Sequence, residues 1–283
     1  MIAPFLLALC LTLAWPADAA IRVQDDAGHT LRLPRPPQRI ITLTPHLTEL
    51  VFAVGAGAQL VGVDSASDFP ASARSLPRVG DFSRVNLERV LALKPDLVLV
   101  WQDGNRAVDI HGLQQQGLPV MQTHATGIRD VARLLRLVGQ ATGRGRTGDA
   151  AARRFEADLA VLRSPARPTP LRVFYQVWDR PLMTVGGVHW ISDALAVCGA
   201  RNVFADLRGL SPVVSREAVL RRAPDLIVSG SDAPDPRPQW QRFVSVPAVK
   251  KGAFVRLDAD RLHRPSPRLT EGVKALCQAL APY

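Results

Sequence analysis

The sequence predicts an α/β fold of two lobes with parallel sheets, and three observations carry that expectation. From Arg39 onward, β-like and helical patterns alternate, the sequence form of strand–helix–strand units with parallel pairing. A fourteen-residue phrase then recurs without a gap: Asn86-Leu-Glu88 through Pro95-Asp96-Leu-Val-Leu is echoed by Ser215-Arg-Glu217 through Pro224-Asp225-Leu-Ile-Val228. Finally, a chain of 283 residues has the length of about two domains at roughly 150 residues each.

The elements follow in order. Ile2 to Trp15 is apolar apart from Pro4, Cys10 and Thr12, and ends at Pro16-Ala-Asp-Ala-Ala20. A short apolar segment closed by small residues at an A-x-A spacing reads as a cleaved secretory signal, although no Lys or Arg precedes the run. The alternative is a buried N-terminal helix. Leu9 is too large for a lipoprotein cleavage site before Cys10. Residues 1–20 are therefore expected to be a signal peptide cut near Ala19 or Ala20, and the mature chain to be exported.

Arg39–Leu43 is a β-branched strand, after which Thr44-Pro45 offers an N-cap and a Pro at the first helical position. Leu47, Leu50, Val51 and Val54 continue at helical spacing. Leu60–Val63 is a strand, Asn86–Leu93 a helix, and Leu97–Val100 a buried parallel strand. Helical 107–116 and strand 119–122 complete a first lobe over residues 21–142. Thr147 to Leu162 carries a strong amphipathic pattern, so residues 143–169 are expected to be a connecting helix. The second lobe, 170–283, opens with strand Arg172–Gln176. Ligands of such sheets lie beyond the carboxyl ends of the strands, here in the cleft between lobes.

Composition removes several functions. Basic residues exceed acidic ones by 35 to 25, a net +10, but only four are Lys and the Arg residues are scattered. With aromatics at 6%, there is no groove-tracking basic stripe, so nucleic acid is not an expected partner. Gly-x-Ser-x-Gly, a phosphate-binding loop with Lys, and Cys pairs at zinc spacing are all missing from the sequence. The six His residues are singletons; His189 and His263 lie nearest to cleft loops and are the best metal-contact candidates, yet a lone His is more often a satisfied side chain. The expectation is a protein that is not an enzyme, with no resident cofactor or metal.

Cleft residues follow from strand ends. Trp101 stands directly after Leu97–Val100, Phe82 in the loop before the Asn86 helix, and Tyr175 and Trp178 at the end of the second lobe's first strand. Such aromatics suit a large, partly flat ligand. Glu88 and Glu217 each fall at the second helical position after a good cap, where the helix dipole alone would justify a carboxylate. Their repetition also suits docking onto a two-fold partner through Arg forks. Beyond the signal, Cys198 and Cys277 remain; an exported chain favours a disulfide between them, two buried thiols being the alternative.

Arg39-Ile-Ile-Thr-Leu-Thr-Pro, Thr48-Glu49-Leu50, Ser67-Asp68-Phe69-Pro70, Asn86-Leu-Glu-Arg89, Lys94-Pro-Asp-Leu-Val98, Val197-Cys-Gly199, Asn202-Val-Phe204, Val214-Ser-Arg-Glu217 and Pro265-Ser-Pro-Arg268 stand over residues 38–280. Together they resemble the periplasmic binding proteins of ABC importers for cobalamin and iron chelates, most of all the cobalamin-binding members. The resemblance implies two Rossmann-like lobes joined by one long rigid helix, a corrinoid ligand between them, and a monomer. It implies that Cys198 and Cys277 are bridged, and that Glu88 and Glu217 engage arginines of the permease. For the pocket it implies Trp101, Asp260 and Arg264, with Phe82 replacing a Trp. Ala66 stands where a Tyr is expected, Ser211 where a Trp is, and Val177 where a Phe is, with Trp178 as compensation. Haem or a ferric siderophore is the alternative ligand; a secreted two-lobe enzyme or a sensor domain is the more distant reading.

Overall fold

A computed structural model of the chain describes residues 20–163 and 168–283; the expected signal peptide, Ala20 aside, lies outside the described residues. The chain opens with an antiparallel hairpin, β1 (Ile21–Gln24) and β2 (Thr30–Leu33). The first lobe continues as β3 (Ile40–Thr42), α1 (Pro45–Ala53), β4 (Leu60–Val63), α2 (Leu87–Ala92), β5 (Leu97–Trp101), α3 (Ala107–Gln115) and β6 (Val120–Thr123). Helices α4 (Asp130–Ala141) and α5 (Gly145–Ala160) follow. The second lobe comprises β7 (Leu171–Gln176), β8 (Trp178–Asp179), β9 (Leu182–Met183), α6 (Trp190–Val197), β10 (Ala200–Asn202), α7 (Arg216–Arg222) and β11 (Leu226–Gly230). It ends with α8 (Arg237–Trp240), α9 (Pro247–Lys250), β12 (Phe254–Leu257), α10 (Ala259–His263) and α11 (Leu269–Leu280).

Each lobe holds a four-stranded parallel sheet, in the orders β4-β3-β5-β6 and β10-β7-β11-β12. Counting within each lobe, with β8–β9 set apart as a hairpin, both orders are second-first-third-fourth. Both faces of the first sheet are covered, and side-chain alternation divides them. Ile40, Leu97, Leu99 and Met121 join the large core, whereas Ile41, Val98 and Val100 pack with Val90, Ile110 and Leu113 beneath α2 and α3.

The internal echo is geometric as well as textual. Lys94 and Ala223, equivalent in the two phrases, both take left-handed backbone conformations, φ 45° and 42°, where α2 and α7 end ahead of Pro95 and Pro224. The following Asp then binds the start of the lobe's first strand. Asp96 accepts from the backbone N–H of Gln38 and Arg39 at 2.8 Å each. Asp225 accepts from the N–H of Arg172 at 3.1 Å and from its guanidinium. This is why Pro-Asp recurs: it stops a helix and ties the third strand to the first.

Of the connecting helix expected over 143–169, the structure describes α5, Gly145–Ala160, of 16 residues, or roughly 24 Å; residues 164–167 lie outside the described residues. It does not stand alone. It packs along α4, where a Cβ on Gly139 would come within 2.9 Å of the Gly148 Cα, and it also meets α11. The large core runs without interruption from Val23 to Leu280 through both lobes. The lobes are thus joined by a helical hairpin and by direct packing. Cys198, at the end of α6, is bridged to Cys277 in α11, as the sequence reading expects.

Candidate ligand-binding cleft

In the first lobe the strand order reverses between β3 and β5, so the loops leaving them diverge and open a crevice. Asn105, buried, holds the two loops together. Its Oδ1 accepts from the Trp101 N–H at 2.8 Å and its Nδ2 donates to the Leu43 carbonyl at 3.0 Å. Above them lies a cavity of about 520 Å³ whose wall includes His46, Asp64, Ala66, Asp81, Phe82 and Trp101 from the first lobe. His263 and Arg264 close it from the second.

Four residues expected at the site therefore meet in one cavity: Trp101, Phe82, Ala66 and Arg264. Phe82 is 83% exposed, an apolar ring held out toward the opening. Trp101 is half-buried, set edge-to-face against His46 at 5.2 Å and tilted toward Trp190 of the second lobe at 6.3 Å. Asp260 reaches the cavity through Arg264, to which it is paired at 2.7 Å. Trp178 and Ser211 are elsewhere. Trp178 lies in the β8–β9 hairpin, and Ser211 precedes Val213, which bridges to Met183 of that hairpin; neither lines this cavity. Val177 begins the same hairpin, its N–H bonded to the Met183 carbonyl.

One sequence-based expectation holds in position only, and another is corrected. Thr44 occupies the N-cap position of α1, but its side chain makes no cap hydrogen bond. Its hydroxyl is instead engaged by the histidine two residues on, 3.1 Å from His46 Nδ1. Tyr175 does not face the opening: it lies inside β7, fully buried, its hydroxyl 3.0 Å from His263 Nε2. Burial pushes the Tyr175 phenol up. His189 is the N-cap of α6, its Nδ1 accepting from the Ile191 N–H at 3.0 Å, so its lone pair is already used.

The electrostatics of the cleft centre on a carboxylate that sequence reasoning did not select. Glu49 of α1, with a side chain only 2% exposed, accepts from four donors of the second lobe's 264–268 segment. These are Ser266 Oγ at 2.6 Å, Arg268 Nε at 3.0 Å and Nη2 at 2.5 Å, and Arg264 Nη1 at 3.1 Å. Arg264 also binds Asp68 at 2.6 Å, and the Arg268 guanidinium lies 4.0 Å above the Phe69 ring. Desolvation works against ionisation of Asp68, yet the Arg264 guanidinium holds its carboxyl below the usual range. Glu49 and its partners lie over two hundred residues apart. The sequence signals were only the Thr48-Glu49-Leu50 and Pro265-Ser-Pro-Arg268 segments, which pair by folding and not by spacing.

Burial, reinforced by the Arg264 charge, lowers the His46 pKa to about 3, so the ring is neutral. Its Nε2, like Trp101 Nε1, is buried with no hydrogen-bond partner among the described residues. Burial raises the Asp64 carboxyl and Asp81 adds to the rise, opposing the N–H of Ala66 that donates to it. Among the described residues no cluster of three His, Cys, Asp or Glu could hold a metal ion. Glu88 and Glu217 are exposed in the first turns of α2 and α7, whose caps Asn86 and Ser215 accept from Arg89 N–H at 2.9 Å and Ala218 N–H at 3.1 Å. The two glutamates thus occupy equivalent places in the two lobes.

Comparison with known proteins agrees with this architecture. The chain is 33% identical over 245 residues to a vitamin B12-binding protein of Vibrio parahaemolyticus, covering 86% of this chain and 89% of that protein. The periplasmic vitamin B12 binding protein BtuF of Vibrio cholerae superposes with a TM-score of 0.78 at 32% identity, over 87% of this chain and 98% of that one. The periplasmic heme-binding protein RhuT of Roseiflexus superposes with a TM-score of 0.76 at 25% identity, over 86% and 97% of the two chains. Residues 40–260 match the family described as periplasmic binding protein. With that match over most of its length and its two parallel-sheet lobes, the chain belongs to the periplasmic binding protein family.

Proposed function

We propose that this protein captures a corrinoid of the cobalamin class in the periplasm and delivers it to the permease of an ABC importer. The observation that carries the reading is the cavity between lobes: Trp101 and Phe82 offer apolar ring surface at the strand-order reversal beside the buried polar His46, Asp64 and Asn105, while His263 and Arg264 stand at its other side. A flat macrocycle with a polar rim matches such a wall. The names of the relatives at 32–33% identity point to the same ligand. The role is binding without turnover, by a monomer, with no resident cofactor. A second reading, haem, is favoured by the likeness to the heme-binding RhuT.

Delivery requires a surface that reads both lobes at once. Glu88 and Glu217 supply it: each is exposed at the start of the helix before its lobe's third strand. Paired arginines on a permease would meet them as charge-assisted forks. Trp178 and Ser211, on the β8–β9 side of the second lobe, are assigned to the ligand's outer rim.

Calorimetric titration of the mature protein with cyanocobalamin, cobinamide and haemin tests the ligand. One-to-one binding of the corrinoids, with haemin weaker, is expected; haemin binding without corrinoid binding refutes the reading. Glu88→Ala with Glu217→Ala is expected to leave affinity unchanged and abolish uptake. Unchanged uptake refutes the docking assignment.

A further inference from the structure

Resting on that corrinoid reading, we infer that the cleft selects its ligand by charge: Asp64 and Asp81 form an acidic wall that accepts an amide-rimmed corrinoid and repels anionic chelates of similar size. Three features of the cavity support it. Asp64 and Asp81 both line it, and Arg264 is the one Arg or Lys among its lining residues. That guanidinium is not free for an incoming anion. It is already bound to Glu49 at 3.1 Å, Asp68 at 2.6 Å and Asp260 at 2.7 Å, so carboxylates outnumber cations in the cluster even when Arg268 is counted.

The second feature is the direction of the Asp81 bonds. The Ser83 N–H at 2.8 Å, the Ser83 hydroxyl at 2.6 Å and the Arg84 N–H at 3.2 Å all go to Oδ1. Oδ2 remains to accept from a ligand amide, and an amide can donate where a carboxylate cannot. The third is His46, 3% exposed and neutral, whose Nε2 has no hydrogen-bond partner among the described residues. Its neutral ring brings no positive charge to the wall. Haem propionates and carboxylate siderophores would thus enter a cleft with negative charge in its wall and no unpaired Arg or Lys among its lining residues.

The test uses ligands that differ in charge and hardly in shape: cyanocobalamin and its three monocarboxylic acids, in each of which one peripheral amide is hydrolysed. Two unit charges about 8 Å apart, at an effective dielectric of about 40–60, discriminate by roughly three- to sixfold. Wild-type protein is therefore expected to bind cyanocobalamin roughly three- to sixfold tighter than the most discriminated acid at low salt. Asp81→Asn, which retains an Oδ1 for all three local bonds, is expected to at least halve that ratio. Raising ionic strength to about 1 M, where the Debye length is about 3 Å, should erode it further. A ratio unmoved by both changes, or tighter binding of an acid, overturns the charge selection while leaving the corrinoid reading intact. Failure of wild-type protein to bind cyanocobalamin overturns both.

Discussion

Glu49→Gln removes the charge at the centre of the contact between lobes while keeping the side chain's shape. In the wild-type protein its two oxygens receive Ser266, Arg264 and both donors of Arg268, in a site that leaves the side chain 2% exposed. Gln retains one acceptor, but its amide turns a donor toward the guanidinium fork. Breaking a buried ion pair by removing one partner costs about 3–5 kcal/mol. The lower end applies here, because Arg264 keeps Asp68 and Asp260 and Arg268 keeps the Phe69 ring. About 3 kcal/mol in a chain of this size lowers Tm by roughly 6–9 °C. Thermal unfolding followed by circular dichroism at pH 7.5, with the disulfide intact, measures it. If the cost comes from uncompensated cations, adding Arg268→Met should restore part of it, so the double variant should lose at least about 1 kcal/mol less than the sum of the singles. A Tm within about 2 °C of wild type, or strict additivity, would refute an energetic link between the lobes at Glu49.

Other expectations are more local. Trp101→Ala should weaken cyanocobalamin binding by about 1–3 kcal/mol, the worth of a lost ring surface, in calorimetric titration; an unchanged Kd removes Trp101 from the site. Cys198→Ser with Cys277→Ser opens a cross-link between residues 79 apart and should lower stability by about 2–4.5 kcal/mol in urea unfolding. His46 and His189 are both held near pKa 3 when folded, by burial first and by the Arg264 and His263 charges second. Unfolded, each takes a proton below about 6.5. Their contribution is therefore complete above that value and falls with pH. Between pH 7.5 and 5.5 the pair should cost about 3 kcal/mol. His189→Asn, which keeps an N-cap acceptor, should remove about half of that loss; an acid dependence identical to wild type would contradict a buried neutral His189.

Much of the fold was legible because its signals are local. Leu60–Val63 is β4 as read, Asn86 does cap α2, and Pro95-Asp96 marks a helix stop that recurs at Pro224-Asp225. The hairpin β1–β2 and the short β8, β9 and β10 strands carry too few residues for a period to register. In the cleft, Trp101 and Phe82 could be found because they flank strand or helix ends. Asn105, Glu49 and Arg268 could not, since their worth lies in partners 62 to 219 residues away. Tyr175 shows the opposite error: a strand's last residues alternate between crevice and core, and the sequence does not say which phase a terminal aromatic takes.

The uninterrupted core has a kinetic cost for transport. A receptor whose halves share one interior is expected to offer the membrane partner nearly the same outer face whether empty or full. Vacant copies then compete with loaded ones for the same permease, and uptake at fixed ligand should pass through a maximum as receptor abundance rises. Expression level, set against external ligand supply, becomes part of the import machinery.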